Sequence, residues 1–293
     1  MPPHSIAPEP SPVVVPESPL VSNARLRQIY TLMLQCSVLR ARIGSLIAEG
    51  RIVAELLPPG GEEAALAATA VELRPGDRLF CARRDWLPAM LKGVPLEKIT
   101  RWLLASSGSR QRALSDAAHG LQALSSRHEA QLADILEAAT LCRRRKGALV
   151  QAHIRSEIPA ETWEQTLRIA ARRRLPLIFI CHTGAGQPEA HDYESLTQAS
   201  QTPHIHVDGG DALAVYRVVQ EATGRARRGL GATLIECRID ESAESAALGA
   251  FLSMEDHLAA KGAFSAAWKD ETETAFAQQL ETALHSAEKH LTS

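Results

Sequence analysis

The chain has 293 residues, 45% of them hydrophobic and 23% charged, with a formal net charge of −2. That length suits one large α/β domain or two small ones, and the composition allows a sizeable core. The near-neutral balance argues against a nucleic-acid or anionic-membrane partner drawn in by net charge, and no stretch approaches the ~20 apolar residues of a membrane span.

Residues 1–22 carry seven prolines and little apolar content besides Val13–Val15. Proline fixes φ and removes backbone donors, so this stretch reads as a disordered, proline-rich tail; no basic flank precedes an apolar run, as a secretory signal would require. One folded domain is expected over 23–293. Asn23 reads as the N-cap of a helix carrying Leu26, Ile29, Tyr30 and Met33, which stops at Gly50. An alanine-rich helix (Ala64–Ala70) follows Gly60-Gly61 and closes before the turn Pro75-Gly76-Asp77. Two short helices are expected near 84–91 and 95–104, then a long polar loop over 106–128. A helix over 129–144 runs into Arg143–Lys146, read as a solvated helix end whose cations complement the carbonyl dipole.

From Ala148 onward, short apolar segments alternate with helical ones. Ala148–His153 reads as a strand, and Pro159 opens a helix to about Arg173. Leu175–Cys181 (LPLIFIC) is apolar without alternation, as a central parallel strand covered on both faces requires. Pro203–Val207 and Ala232–Cys237 read as further strands, with a helix capped by Asp211 between them. Helices over 254–261 and 267–290 complete the chain. The predicted fold class is α/β, a doubly wound parallel sheet with helices on both faces. The five scattered cysteines form no CxxC and read as buried, reduced thiols of a cytoplasmic protein. His182, His191, His204 and His206 read as ordinary surface histidines.

Several segments in this order resemble the alpha subunit of the thiamine-diphosphate-dependent 2-oxoacid dehydrogenases. They are Leu39–Ile52 (LRARIGSLIAEGRI), Gly61-Glu62-Glu63-Ala64 for the family's GQEA, and Leu73–Asp77 (LRPGD). Leu175–Cys181 stands for LPVIFVC, Val207–Ala226 for its VDGND segment, and Gly231–Glu236 (GATLIE) for GPTLIE. The resemblance runs from about residue 26 to 290. It implies the thiamine-diphosphate-binding fold, a beta subunit as partner, and Mg²⁺ with thiamine diphosphate as cofactors.

The same alignment implies that the cofactor residues are replaced. The family's GDG falls on Ile154-Arg155-Ser156, so Arg155 stands where its metal-binding aspartate does. Its paired asparagines fall on Thr183-Gly184, and a further ligand on Gly186. Of its Tyr-Arg pair at the pyrophosphate only Arg84 is kept, beside Arg83, and its following histidine is Trp86. Its glycine-rich segment falls on Arg127-His128-Glu129, and its regulatory loop on a short link, Cys237–Leu248. Mg²⁺ needs oxygen ligands in fixed geometry, so an arginine is no substitute for an aspartate. The expectation is therefore no metal, no catalytic residue and no cofactor. The chain would be a non-catalytic scaffold or regulatory subunit beside a beta-like partner or a second copy of itself, without nucleic acid or membrane. The alternatives are an active subunit in 2-oxoacid decarboxylation and oxidation, and a metal-independent anion binder. Arg84 and Arg155 are the candidate binding residues. Arg155 would either hold a bare anion or pair with Glu157 or Glu161.

Overall fold

The computed structural model of the protein describes residues 21–57, 60–105, 113–155, 158–184, 191–239 and 242–292. The tail expected over 1–22 thus lies almost wholly outside the described residues, as do Ser156, Glu157 and Gly186. In chain order the described elements are α1 (Asn23–Ala48), α2 (Glu63–Ala70), β1 (Arg78–Cys81), α3 (Leu87–Leu91), α4 (Leu96–Leu104), β2 (Leu121–Ala123), α5 (His128–Arg143), β3 (Val150–Ile154), α6 (Ala160–Arg172), β4 (Leu177–Gly184), α7 (Tyr193–Ser200), β5 (His204–Asp208), α8 (Ala212–Arg227), β6 (Thr233–Ile239), α9 (Ala243–Ala260) and α10 (Ala266–Thr292).

The strands form one sheet in the order β2-β1-β3-β4-β6-β5, with every pairing parallel. Parallel neighbours need crossovers, and the helices between strands supply them on both faces. One face packs Ile178 and Ile180 of β4 and Ile235 of β6 against α1, α2, α8 and α9. The other packs Val150, Ala152, Phe179 and Leu234 against α5 and α6, with Trp163 edge-on to Phe179 at 5.1 Å. The chain winds outward from β1 to β2 in one direction and from β3 through β4 in the other. Strand order therefore reverses between β1 and β3, and the crevice at their carboxyl ends is where open α/β sheets bind ligands.

Doubly wound α/β architecture is thus what the chain adopts, but several local readings are corrected. The first cap is Ser22, whose hydroxyl accepts from the Arg25 amide at 3.2 Å, one residue before the expected Asn23. Residues 78–81 and 121–123 are strands. Both are too short to show a period, and the second sits in the polar stretch read as loop. A helix over Tyr193–Ser200, capped by the Asp192 carboxylate, was not expected. The expected link over 237–248 is instead the end of β6 and the start of α9. The Ser242 hydroxyl caps that helix, and Ala246, Ala250, Met254 and Leu258 bury one stripe at four-residue spacing.

Asp77, in the LRPGD turn, fastens the sheet to α8. Its carboxylate is 1% exposed; it accepts from the Arg74 amide at 2.7 Å, from the Leu149 amide at 3.0 Å, and twice from the Arg227 guanidinium at 2.8 and 3.0 Å. A fork-to-carboxylate pair with both remaining lone pairs used is the geometry in which a buried ion pair holds.

Candidate functional site

The site is built by period-two alternation on β3. Gln151, His153 and Arg155 project to the side on which β4 presents Ile178, Ile180 and His182, since Gln151 pairs with Ile178 and His153 with Ile180. The amino end of α2 lies over this row and brings Glu62 and Glu63. The residues just past β1 bring Arg84 and Asp85. The crevice at the switch point is therefore lined by charge from three separate segments, with His182 of β4 beside them.

Arg155 occupies its centre. One terminal nitrogen bonds Glu62 Oε2, and the other lies 3.1 Å from Asp85 Oδ2. The three side chains are 13%, 5% and 7% exposed. Behind them a chain of neutral groups continues into the core. The Gln151 amide nitrogen donates to His153 Nε2 at 2.9 Å, and His153 Nδ1 lies 2.9 Å from His182 Nε2. The Gln151 donor makes His153 Nε2 the acceptor. His153 then carries its proton on Nδ1 and donates to His182, whose own proton sits on Nδ1, 3.8 Å from Glu62 Oε1.

Burial sets the ionisation of this row. It pushes Glu62 up to about 7, even though the Arg155 charge pulls the other way and Asp85 and Glu63 add to the rise. Burial and the Arg155 charge hold His153 down to about 3 and His182 well below the ordinary histidine range, so both rings stay neutral and can share one hydrogen bond. Burial alone would lower Arg155, but the Glu62 and Asp85 carboxylates more than reverse it, and the guanidinium stays charged.

Two readings from the sequence are corrected here. Arg155 does not pair with Glu161, which stands exposed on α6 beside Gln165, at 3.4 Å, and Glu157 lies outside the described residues; the partners the structure gives it come from α2 and from the segment after β1. Residue 155 points to the α2 side of the sheet, and α6 packs on the other. Nor is His182 a surface residue; at 5% exposure it is a link in the buried row. Arg84 is exposed, and it lines an open cavity of about 140 Å³ with Arg155, Asp85, Ala82, Leu56 and Glu55. The structure thus brings the two candidate arginines to one crevice. Glu62, Asp85 and the His153–His182 pair were missed. The alternation Gln151-x-His153-x-Arg155 on one strand was the signal for the histidine row.

These residues do not fit Mg²⁺. The Arg155 guanidinium stands where the resemblance implies the metal-binding aspartate. The Thr183 hydroxyl is turned away, donating to Glu236 Oε1 at 3.0 Å. Gly184 has φ +113°, and a Cβ there would lie 2.0 Å from the Ile239 carbonyl oxygen, so no asparagine is possible on this backbone. Trp86 is fully buried and donates its indole N–H to the Leu56 carbonyl at 2.8 Å, closing off the place of the family's histidine. Among the described residues, no group of three or more His, Cys, Asp or Glu side chains is arranged to hold a metal ion.

The sequence profile of the dehydrogenase E1 component family matches residues 30–239. The chain belongs to this family. A pyruvate dehydrogenase E1 component subunit alpha from Porphyra purpurea is 28% identical over 211 residues, covering 60% of this chain and 58% of that protein. One from Staphylococcus aureus is 28% identical over 232 residues, covering 74% and 60%. The alpha subunit of acetoin:2,6-dichlorophenolindophenol oxidoreductase from Bacillus subtilis is 38% identical over 84 residues, covering 26% of this chain and 25% of that one. The chain therefore spans less than two thirds of the length of each of these relatives. A transketolase structure from Campylobacter jejuni superposes with a TM-score of 0.55 over 90% of this chain and 47% of that one, at 12% identity, which shows a shared fold. No described helix is long and apolar enough to cross a membrane. Within the E1 family pattern, the departures at Arg155 and Glu62 belong together. On the alignment the resemblance implies, these are the positions of the metal-binding aspartate and of the glutamine of GQEA, and the two side chains here are bonded to each other.

Proposed function

We propose that this chain is an E1 alpha-like subunit that holds no Mg²⁺ or thiamine diphosphate and acts as a scaffold or regulatory partner for a beta-like chain. The observation that carries this reading is the buried Arg155–Glu62–Asp85 cluster. It supplies, from the chain's own side chains, the charge neutralisation that a bound cation would otherwise provide at the switch-point crevice. A divalent ion would have to displace a guanidinium already satisfied by two carboxylates, and would find Thr183 and Gly184 without free oxygen ligands. Subunit pairing is supported by α9, whose outer side exposes Leu248 (62%) and Leu252 (52%) one turn apart. Five buried free thiols favour a reducing compartment such as the cytoplasm.

A second reading has one observation in its favour. Arg84 and Arg155 share an open cavity, so a small anion without metal could sit against Arg84. The competing carboxylate of Asp85 lines the same space, which makes this the weaker ligand site.

The test is co-expression with a beta-like chain, followed by gel filtration with light scattering and a dye-linked assay on pyruvate and branched 2-oxoacids. The reading expects co-elution with the beta-like chain and no 2-oxoacid-dependent dye reduction above that chain alone. Turnover that requires this chain and thiamine diphosphate would overturn it, and so would a monomer that fails to associate.

A further inference from the structure

The fold gathers three arginine runs, far apart in sequence, at the amino-terminal edge of the sheet, the end opposite the Arg155 crevice. α5 ends in Arg143–Lys146, α6 in Arg172–Arg174 and α8 in Arg225–Arg228. Direct contacts join them into one surface. Arg143 donates to the Arg173 carbonyl at 2.7 Å, Arg227 bonds the Gly147 carbonyl, and a Cβ on Gly231 would lie 3.7 Å from the Arg174 Cα. All seven side chains of the first two runs are exposed, and so is Arg228.

Helix-end cations are ordinary, since each helix carboxyl terminus carries about half a negative charge. One or two per helix satisfy that. Here the runs continue past the last turn, and among the described residues none of these eight exposed cations pairs with a carboxylate. Elsewhere Arg25, Arg42, Arg51, Lys98 and Lys269 each find one. Within the third run Arg227 is the member that does pair, with the buried Asp77. With a net charge of −2 for the whole chain, this edge is the positive pole of an otherwise acidic molecule.

The surface is not purely charged. Between α5 and α6 runs an open groove lined by Leu136, Leu141, Ile169 and Arg173. Leu141 is 47% and Ile169 38% exposed, and Leu230, following the third run, is 50% exposed. The large exposed hydrophobics among the described residues include no aromatic, so the stacking platform that single-stranded nucleic acid uses is missing. We infer that this edge is a docking surface for an acidic amphipathic protein segment, a helix with glutamate or aspartate flanking an aliphatic stripe. Its leucines would lie in the α5–α6 groove and its acids would meet the arginine runs. This inference is independent of the cofactor site.

The probe is a fluorescein-labelled helical peptide of Glu, Ala and Leu, about five turns long, with leucine at i, i+3/i+4 spacing. A control peptide has the same charge with every leucine replaced by serine. Anisotropy titration on the full chain should show saturable binding of the first, at least about tenfold tighter than the control, weakening as salt rises. Reversing Arg144, Arg145 and Arg172 to Glu should abolish it. Arg143 is left intact because it braces α6, and an unchanged melting curve checks the fold. Ile169→Ser should bring the leucine peptide down to the level of its control. Mixed-sequence duplex DNA and vesicles of phosphatidylcholine with phosphatidylserine serve as competitors. The inference is overturned if either binds more tightly than the leucine peptide, if the charge-reversed chain binds that peptide unchanged, or if no binding is seen.

Discussion

Replacing Arg155 with alanine should be among the most damaging single changes in the molecule. The substitution strands Glu62 and Asp85, at 5% and 7% side-chain exposure, beside Glu63, which is also buried. Removing one partner of a buried ion pair costs about 3–5 kcal/mol, and here two carboxylates lose their partner together, which places the loss at the upper end. For a domain of this size each kcal/mol lowers Tm by about 2–4 °C, so a fall of roughly 8–15 °C is expected at pH 8. The loss should shrink in acid. Without Arg155, Glu62 loses the charge that pulls its pKa down, so burial and the neighbouring carboxylates raise it further above its unfolded value. The variant then binds more protons folded than unfolded, and its stability falls as pH rises. Arg155→Lys should recover only part of the loss, because an ammonium cannot bridge two carboxylates as the guanidinium fork does. Thermal melts by circular dichroism at pH 5 and pH 8 decide the matter. A Tm shift below about 2 °C at pH 8, or a larger loss at pH 5 than at pH 8, would refute the picture of a charge cluster neutralised from within.

Three further outcomes are expected. In the native chain Glu62 is raised from its ordinary 4.5 to about 7, so its contribution to stability is full below 4.5 and is lost as pH rises to 7; Glu62→Gln should flatten that slope, on the order of 3 kcal/mol, in chemical denaturation at stepped pH. Asp77→Asn removes the charge that holds the Arg227 fork while keeping the shape, and should cost about 3–5 kcal/mol by the same denaturation measurement. Gly184→Asn, the restoration of one family asparagine, should give little folded protein on expression, because its Cβ meets the Ile239 carbonyl and its φ is positive; a soluble variant with native melting would count against the described β4–β6 spacing.

The architecture was legible where burial on both faces removes polar residues from a strand, as in Leu175–Cys181. It was also legible where a cap and a four-residue stripe coincide, as at Asp211 and α8. It was not legible in β1 and β2, whose three or four residues owe their strand geometry to parallel neighbours rather than to their own pattern. α9 was obscured by Gly249 and by small residues that fill helix positions without announcing an apolar face. At the site, the order of motifs was enough to single out Arg155, which the structure places at the centre of the crevice. Its partners were hidden, because Glu62 lies 93 residues away in an alanine-rich helix and Asp85 follows a strand that was not foreseen. Pairing across a sheet is set by topology, and a reading that looked for acids near in sequence reached Glu161, which sits on the other side of it.

The central claim, that the crevice is neutralised by its own side chains and takes no metal-bound cofactor, is tested most directly by titration calorimetry of thiamine diphosphate into the full chain, with and without Mg²⁺. The account predicts no magnesium-dependent heat of binding, and at most weak, metal-independent binding of the phosphates that disappears in Arg84→Ala. Saturable, magnesium-dependent binding in the micromolar range would contradict it, because that requires Arg155 to leave Glu62 and Asp85.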